Sequence, residues 1–172
     1  METVIREATQ DDWPLLWPIF QPIIEAGDTY AYDPATTYEQ GRVLWLDKPR
    51  RTFLFEDAGE VLGTYYIKTN QDGPGDHVCN CGYMVSDQAR GRGIARQMCE
   101  HSQIIAQEMG YRAMQFNFVA SSNVGAVVLW QKLGFDTVGL LPGAFRHPSQ
   151  GYVDALVMYK SLNSINKGVL NV

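Results

Sequence analysis

The chain is poor in the features that mark several protein classes. It has three cysteines in 172 residues, an odd number and too few for a disulfide framework, which suits a reducing compartment. No stretch approaches the roughly 18 consecutive apolar residues of a membrane-spanning helix, so no membrane partner is expected. The opening Met-Glu-Thr-Val-Ile-Arg-Glu lacks the basic-then-apolar pattern of an export signal, which makes the cytoplasm the expected location. Charged residues are 19% of the chain and leave a net charge of -5. A non-specific DNA or RNA binder needs a basic face, so no nucleic-acid partner is expected. Repeats, low-complexity segments and Ser/Gly linkers are missing, and nothing divides the chain in two.

What is present is the material of one ordinary core. Hydrophobic residues make up 45%, with four Trp, nine Tyr and seven Phe. That excludes disorder for most of the length. A single domain over 1–162 with a loose tail over 163–172 is expected.

The elements follow from spacing. Thr3 to Ala8 reads as a strand. Gln10-Asp11-Asp12 opens a helix carrying Trp13, Leu15, Leu16, Ile19, Phe20, Ile23 and Ile24, in which Pro18 or Pro22 should cause a kink or a break. Thr37 to Leu46 predicts a second helix with Thr37 as its cap. Arg51 to Glu56 and Glu60 to Thr69 predict a hairpin around Asp57-Ala58-Gly59. His77 to Val85 is a strand, Gly93 to Met109 a helix, Ala113 to Val119 a strand, and Ser122 to Leu133 a helix stopped by Gly134. Asp136 to Leu141 and Tyr152 to Ser161 close the order as strands. The expectation is a mixed α/β sheet of six to seven strands, flanked by about four helices.

The segment richest in chemistry is Gln88-Ala89-Arg90-Gly91-Arg92-Gly93-Ile94-Ala95. It leaves a strand and enters an amphipathic helix. Its glycines permit a tight turn and a close approach to a ligand. The helix start offers unpaired N–H groups and the positive end of a dipole, which suit a pyrophosphate. A dinucleotide fingerprint would need Gly or Ala at position 96, where Arg96 stands, and the Gly-Lys-Ser/Thr of a Walker loop is absent.

The octet resembles the acyl-CoA-binding signature of the GNAT acetyltransferases, Gln/Arg-x-x-Gly-x-Gly/Ala. A second stretch, Asn123 to Phe135, is similar to the family's next motif: an Asn opening a helix that ends in an aromatic, a Lys and Gly-Phe. The resemblance implies the GNAT fold, with the strand ending near Val85 bulged and splayed from the strand of Ala113 to Val119. It implies acetyl-CoA as cosubstrate, with pantetheine paired to the backbone of Tyr83, Met84 and Val85. The pyrophosphate would sit on Gln88, Arg90, Gly91, Arg92, Gly93, Ile94 and Ala95, and Asn123 would bond the pantetheine region. The amine would attack the thioester directly, with a backbone N–H near Val85 as oxyanion donor. Where the family often has an acidic Tyr, this chain has Trp130. An indole donates a hydrogen bond but is no acid at neutral pH, so Trp130 is expected to pack against the cofactor.

For the acceptor, alternation puts His77, Cys79 and Cys81 on one face of their strand and Val78, Asn80 and Gly82 on the other. Gln115 and Asn117 share a face, opposite Met114, Phe116 and Phe118. Amides on central strands must find partners. Asn80 and Asn117 are therefore the candidate substrate anchors, with hydrogen bonds that merely close the strand gap as the alternative. Residues 79–85, 117–135, 142–148 and 151–154 resemble the acetyltransferases that N-acetylate azetidine-2-carboxylate, a toxic proline analogue. That resemblance implies a small amine or imino acid as acceptor and a detoxifying role. A phosphinothricin-type or other amino-acid or antibiotic acetyltransferase, a protein acetyltransferase, and a non-catalytic acyl-CoA sensor stay open. The loop Thr29 to Asp33 is a candidate wall of the acceptor pocket. Glu25, Asp33, Asp154 and His147 are the candidate bases. His77, Cys79, Cys81, Cys99 and His101 lack the spacing of a closed zinc site, so no metal is expected. A homodimer through exposed C-terminal strands is compatible with the sequence.

Overall fold

Apolar side chains alternate along the strands so consistently that each face of the central sheet carries its own core. In the computed structural model, which describes residues 3–163, seven strands run β1 (Val4–Glu7), β2 (Arg51–Asp57), β3 (Glu60–Thr69), β4 (Val78–Val85), β5 (Ala113–Ala120), β6 (Asp136–His147) and β7 (Gly151–Ser161). Their spatial order is β1-β2-β3-β4-β5-β7-β6. Every neighbouring pair is antiparallel except β4 and β5, which are parallel. This is the GNAT fold expected above. The helices are α1 (Trp13–Ala26), α2 (Tyr38–Arg42), α3 (Ile94–Glu108) and α4 (Val124–Lys132). Among the described residues no helix is long and apolar enough to cross a membrane. The expected tail lies outside the described residues beyond Asn163.

On one face, Trp13, Leu16, Phe20 and Ile24 of α1 pack with Trp45, Leu54, Tyr66 and Met84. On the other, Ile94, Met98, Cys99 and Ala106 of α3 pack with Phe53, Tyr65, Cys79, Cys81, Met114 and Phe116. Burying such side chains contributes about 1.5–3 kcal/mol each before the entropy of ordering them.

Three expectations need correction. Helix α1 is not broken at Pro18 or Pro22 but runs through both as one element. Pro14, Pro18 and Pro22 are spaced by four and all exposed, so the carbonyls left without an N–H partner lie on the face that water can reach. Strand β6 does not stop at Leu141 but continues to His147, because a bulge between Leu141 and Phe145 absorbs Pro142 and Gly143 and pairing with β7 resumes at Val153. The irregularity beside the splay lies in β5, between Phe116 and Val119, whereas β4 keeps regular register with β3 from Cys79 to Val85.

The junction of β1 with α1 is tied by charge. Arg6 of β1 donates to both oxygens of Asp12, at 3.0 and 2.8 Å, and the N–H of Thr9 donates to Asp12 at 2.7 Å. The Arg6 guanidinium, with help from Thr9, holds the Asp12 carboxyl down at about 2 against its ordinary 3.8. Asp12→Asn should therefore cost about 1–3 kcal/mol at neutral pH. A carboxyl whose folded pKa is depressed stabilises the fold above its unfolded value near 4, and that contribution fades as pH falls toward about 2. Urea unfolding of both proteins across acid and neutral pH checks this: the gap between them should close in acid, and a constant gap contradicts the assignment.

Candidate active site

Parallel β4 and β5 pair only at Val78 with Ala113 and Cys79 with Met114. Beyond those two pairs the strands diverge. The N–H of Asn70 donates to Val78 at 2.9 Å and the N–H of Ser86 donates to Leu62 at 2.8 Å. In the alternating antiparallel ladder this directs the even-numbered backbone groups of β4 to β3. The N–H and C=O groups of Cys81, Tyr83 and Val85 therefore face the opening toward β5. The backbone of Met84 turns to Thr64 instead and its side chain is buried on the α1 side, although the residue still lines the cavity there.

A cavity of about 770 Å³ runs through this opening. Toward α3 and α4 it is lined by Val85, Arg90, Gly91, Ala95, Ser122, Asn123, Ala126 and Trp130, and toward α1 by Asp28, Thr29, Tyr30, Tyr32, Tyr66, Lys68, Asn80 and Asn117. Gln88, Arg92, Gly93 and Ile94 are not among the lining residues; Ile94, the first residue of α3, is buried in the core. Gly91 and Gly93 take φ of +78° and +75°, a turn that other residues enter only with strain. The first bond of the α3 ladder runs from Gln97 N–H to Gly93 at 3.1 Å. The amides of Ile94, Ala95 and Arg96 are thereby left without intrahelical acceptors. Arg90 pairs with Asp87 and Arg92 with Asp57, each at 2.7 Å. Asn123 caps α4 by accepting from the Ala126 N–H at 3.4 Å. Trp130 packs against Tyr83 and Phe116, with ring centroids 5.1 and 5.2 Å away.

These features fit an acyl-CoA. A row of unpartnered amides at a helix start suits a pyrophosphate, and diverging strands offer backbone groups to an amide-bearing arm. The buried hydroxyl oxygens of Ser122 and Thr29, both on the cavity wall, have no hydrogen-bond partner among the described residues, and a polar ligand group can satisfy them.

On the α1 side the wall is a chain of neutral donors and acceptors. Tyr30 donates to the carbonyl of Tyr83 at 2.7 Å. Tyr66 donates to Asn80 Oδ1 at 3.0 Å, and Asn80 Nδ2 donates across the splay to the carbonyl of Gln115 at 2.9 Å. Asn117 accepts from Gln115 at 2.9 Å and donates to Asn70 at 2.6 Å. Asn80 is 6% exposed, while Asn117 is open to the cavity and to solvent. Burial pushes the Tyr30 and Tyr66 hydroxyls well above the usual phenol range, so both stay neutral donors and neither is a base.

Of the four candidate bases only His147 lines the cavity. Its Nδ1 accepts from the N–H groups of Ser149 and Gln150 at 3.2 Å, which leaves Nε2 as its other ring nitrogen. Glu25 accepts from Gln21, Asp33 from the Ala35 N–H, and Asp154 from the Gly143 N–H. Among the described residues no three His, Cys, Asp or Glu side chains are grouped to hold a metal ion. Sequence reasoning passed over Tyr66, Lys68 and Asp28. The signal for the first two was the alternation of Tyr65-Tyr66-Ile67-Lys68, which sends Tyr66 and Lys68 to the face of Asn80.

A sheet splayed at its centre, with a glycine turn and bare helix amides at the mouth of the gap, defines an acyl-CoA-dependent acetyltransferase class. Residues 5–135 match the model of the Acetyltransferase (GNAT) family, and the chain belongs to that family. Over 98 residues, 56% of this chain, it is 36% identical to the N-acetyltransferase aca1 of Schizosaccharomyces pombe; the match spans 47% of that protein, about half its length. A solved GCN5-related N-acetyltransferase from Kribbella flavida is 45% identical, with a TM-score of 0.88 over 92% of this chain and 97% of that one. A GNAT superfamily phosphinothricin acetyltransferase from Sinorhizobium meliloti, solved in complex with AcCoA, shares the fold at a TM-score of 0.81 and 17% identity, covering 94% of this chain and 89% of that one.

The Tyr66–Asn80 contact depends on a missing side chain. A Cβ at Gly82 would lie 2.7 Å from the Tyr66 ring. Gly82→Ala should displace that ring, break its bond to Asn80 and destabilise the protein by about 1–3 kcal/mol. Thermal unfolding checks this, and an unchanged melting temperature contradicts it.

Proposed function

We propose that this protein transfers the acetyl group of acetyl-CoA to the nitrogen of a small amine or imino acid, with a proline analogue such as azetidine-2-carboxylate as the acceptor type. The observation that carries this reading is one continuous cavity that joins Gly91 and Ala95, at the start of α3, to a pocket walled by Tyr30, Tyr32 and Tyr66. An aromatic wall on that scale suits a small acceptor better than an extended peptide.

In this reading the pyrophosphate rests on the amides of Arg90 to Ala95, of which Arg90, Gly91 and Ala95 line the cavity, and pantetheine enters the splay beside Val85 and Asn123. The amine attacks the thioester carbon. A C–N bond forms, the C–S bond breaks, and coenzyme A leaves as thiolate. The Val85 N–H, which faces the gap, donates to the developing oxyanion. Trp130 supplies no proton, and none is required at once, since a free thiol has a pKa of about 8.5. The amine's proton passes to His147 directly or through water. Asn117 holds the acceptor on the face opposite α3, while Asn80, with its amide bonded to Tyr66 and Gln115, closes the strand gap beside it. The three free, buried thiols suit a reducing cytoplasm. A homodimer would use the β6–β7 face, where Val138, Leu140 and Tyr152 are exposed.

Thiol release from acetyl-CoA tests the reading, with azetidine-2-carboxylate, proline, several amino acids, polyamines and a lysine peptide as acceptors. Turnover is expected with imino or amino acids and not with the peptide. Asn117→Ala should lower turnover about tenfold or more by removing a polar contact, while acetyl-CoA at 100 times its Kd still adds about 2.7 kcal/mol of stability. Stabilisation without turnover on any acceptor would favour a sensor. Loss of the stabilisation itself would overturn acyl-CoA binding.

A further inference from the structure

On the acceptor side of the cavity stands a cation that the proposed reaction does not use. Lys68 lies on β3 directly across from Asn80 in register, with its side chain on the same face as Tyr66. Its ammonium sits over the Tyr66 ring, 5.3 Å from the centroid. The ion pairs of the described residues involve Arg6, Arg42, Arg51, Arg90, Arg92 and Arg96, and Lys68 is in none of them. Lys160, the other partly buried lysine, donates to Gln103 and to the Leu133 carbonyl. Lys68 has no such acceptor. Asp28 lines the same cavity but forms no ion pair with it.

A half-buried ammonium without an acceptor is costly, and its surroundings add to the cost. Burial lowers its proton affinity first, and the positive charge of Lys48 lowers it further. An anion arriving there relieves both effects at once. Asp28 apart, the nearby wall is neutral amides and phenols: Asn117 can bond either end of a ligand but cannot select its charge. Lys68 is opposite Asn80 on the strand that runs on to Val85, and it lines the same cavity as Val85.

We infer that Lys68 anchors a carboxylate on the acceptor, so that the substrates are amino or imino acids and not neutral amines or polyamines. This rests on the reading of the site as an N-acetyltransferase and specifies its substrate class. Lys68 is a positioning and specificity residue: it binds the carboxylate and takes no part in bond making.

The test compares acids with their carboxamides, proline with prolinamide and azetidine-2-carboxylate with its amide, on the wild type and on Lys68→Met, Lys68→Gln and Lys68→Arg. Melting temperatures confirm that each variant folds. The wild type should prefer the acids. Met and Gln should raise KM for the acids about 10- to 100-fold, with kcat little changed and with KM for the carboxamides and for acetyl-CoA unaltered. Arg should retain part of the preference. Equal use of acid and amide by the wild type, or an equal loss for both in Lys68→Met, overturns the anchor and leaves N-acetylation standing. If no amine in either series releases thiol, the catalytic reading fails by itself. Calorimetric titration of the acids into the protein with coenzyme A then decides the anchor: binding to the wild type but not to Lys68→Met upholds it, and binding to neither or to both alike overturns it.

Discussion

Two parallel strands that share only two residue pairs leave a row of backbone groups facing an open gap, and the rest of the site is arranged around that gap. Each buried N–H or C=O without a partner costs about 1–3 kcal/mol. The protein meets part of that cost from its own side chains. Tyr30 caps the Tyr83 carbonyl and Asn80 reaches across to Gln115. What these contacts do not satisfy faces the cavity, where a ligand with amide groups can complete the ladder. The divergence is thus a binding site made by withholding hydrogen bonds in the middle of a sheet.

The two cores hold that opening in place from opposite sides. Cys79, Cys81, Met114 and Phe116 anchor the diverging strands to α3. Tyr66 and Met84 anchor them to α1 and Trp45. The cavity passes between these layers, so its ends differ in character. One end is a helix start with bare amides, suited to an anion of fixed shape. The other is an aromatic and amide wall whose hydroxyls stay neutral because burial disfavours their charged forms. The titratable side chains on that wall include Lys68, Asp28 and His147.

Much of the architecture was legible because it rests on local pattern. The order of strands and helices, the Thr37 cap, the hairpin at Ala58 and the glycine turn before α3 each follow from a few adjacent residues. Where the sequence misled, a longer-range condition won. Prolines at spacings of four are harmless when all face solvent, which only the docking of α1 decides. The reach of β6 to His147 depends on β7 resuming its pairing beyond a bulge. The bulge of β5 at Asn117 is invisible in a stretch that alternates perfectly well on paper.

The sequence by itself determined the element order, the split of apolar residues between two faces, the glycine turn and the family. All of these depend on residues close together in the chain or on a motif of fixed spacing. Only the tertiary structure decided where the parallel ladder stops, that Asn80 spends its amide on Tyr66 and Gln115, that Arg92 is held by Asp57, and that Lys68 stands on the cavity wall over the Tyr66 ring with no ion-pair partner among the described residues. Those facts join residues tens of positions apart on strands whose register is set by packing. No local rule encodes the distance between two side chains that meet only when the sheet closes around them.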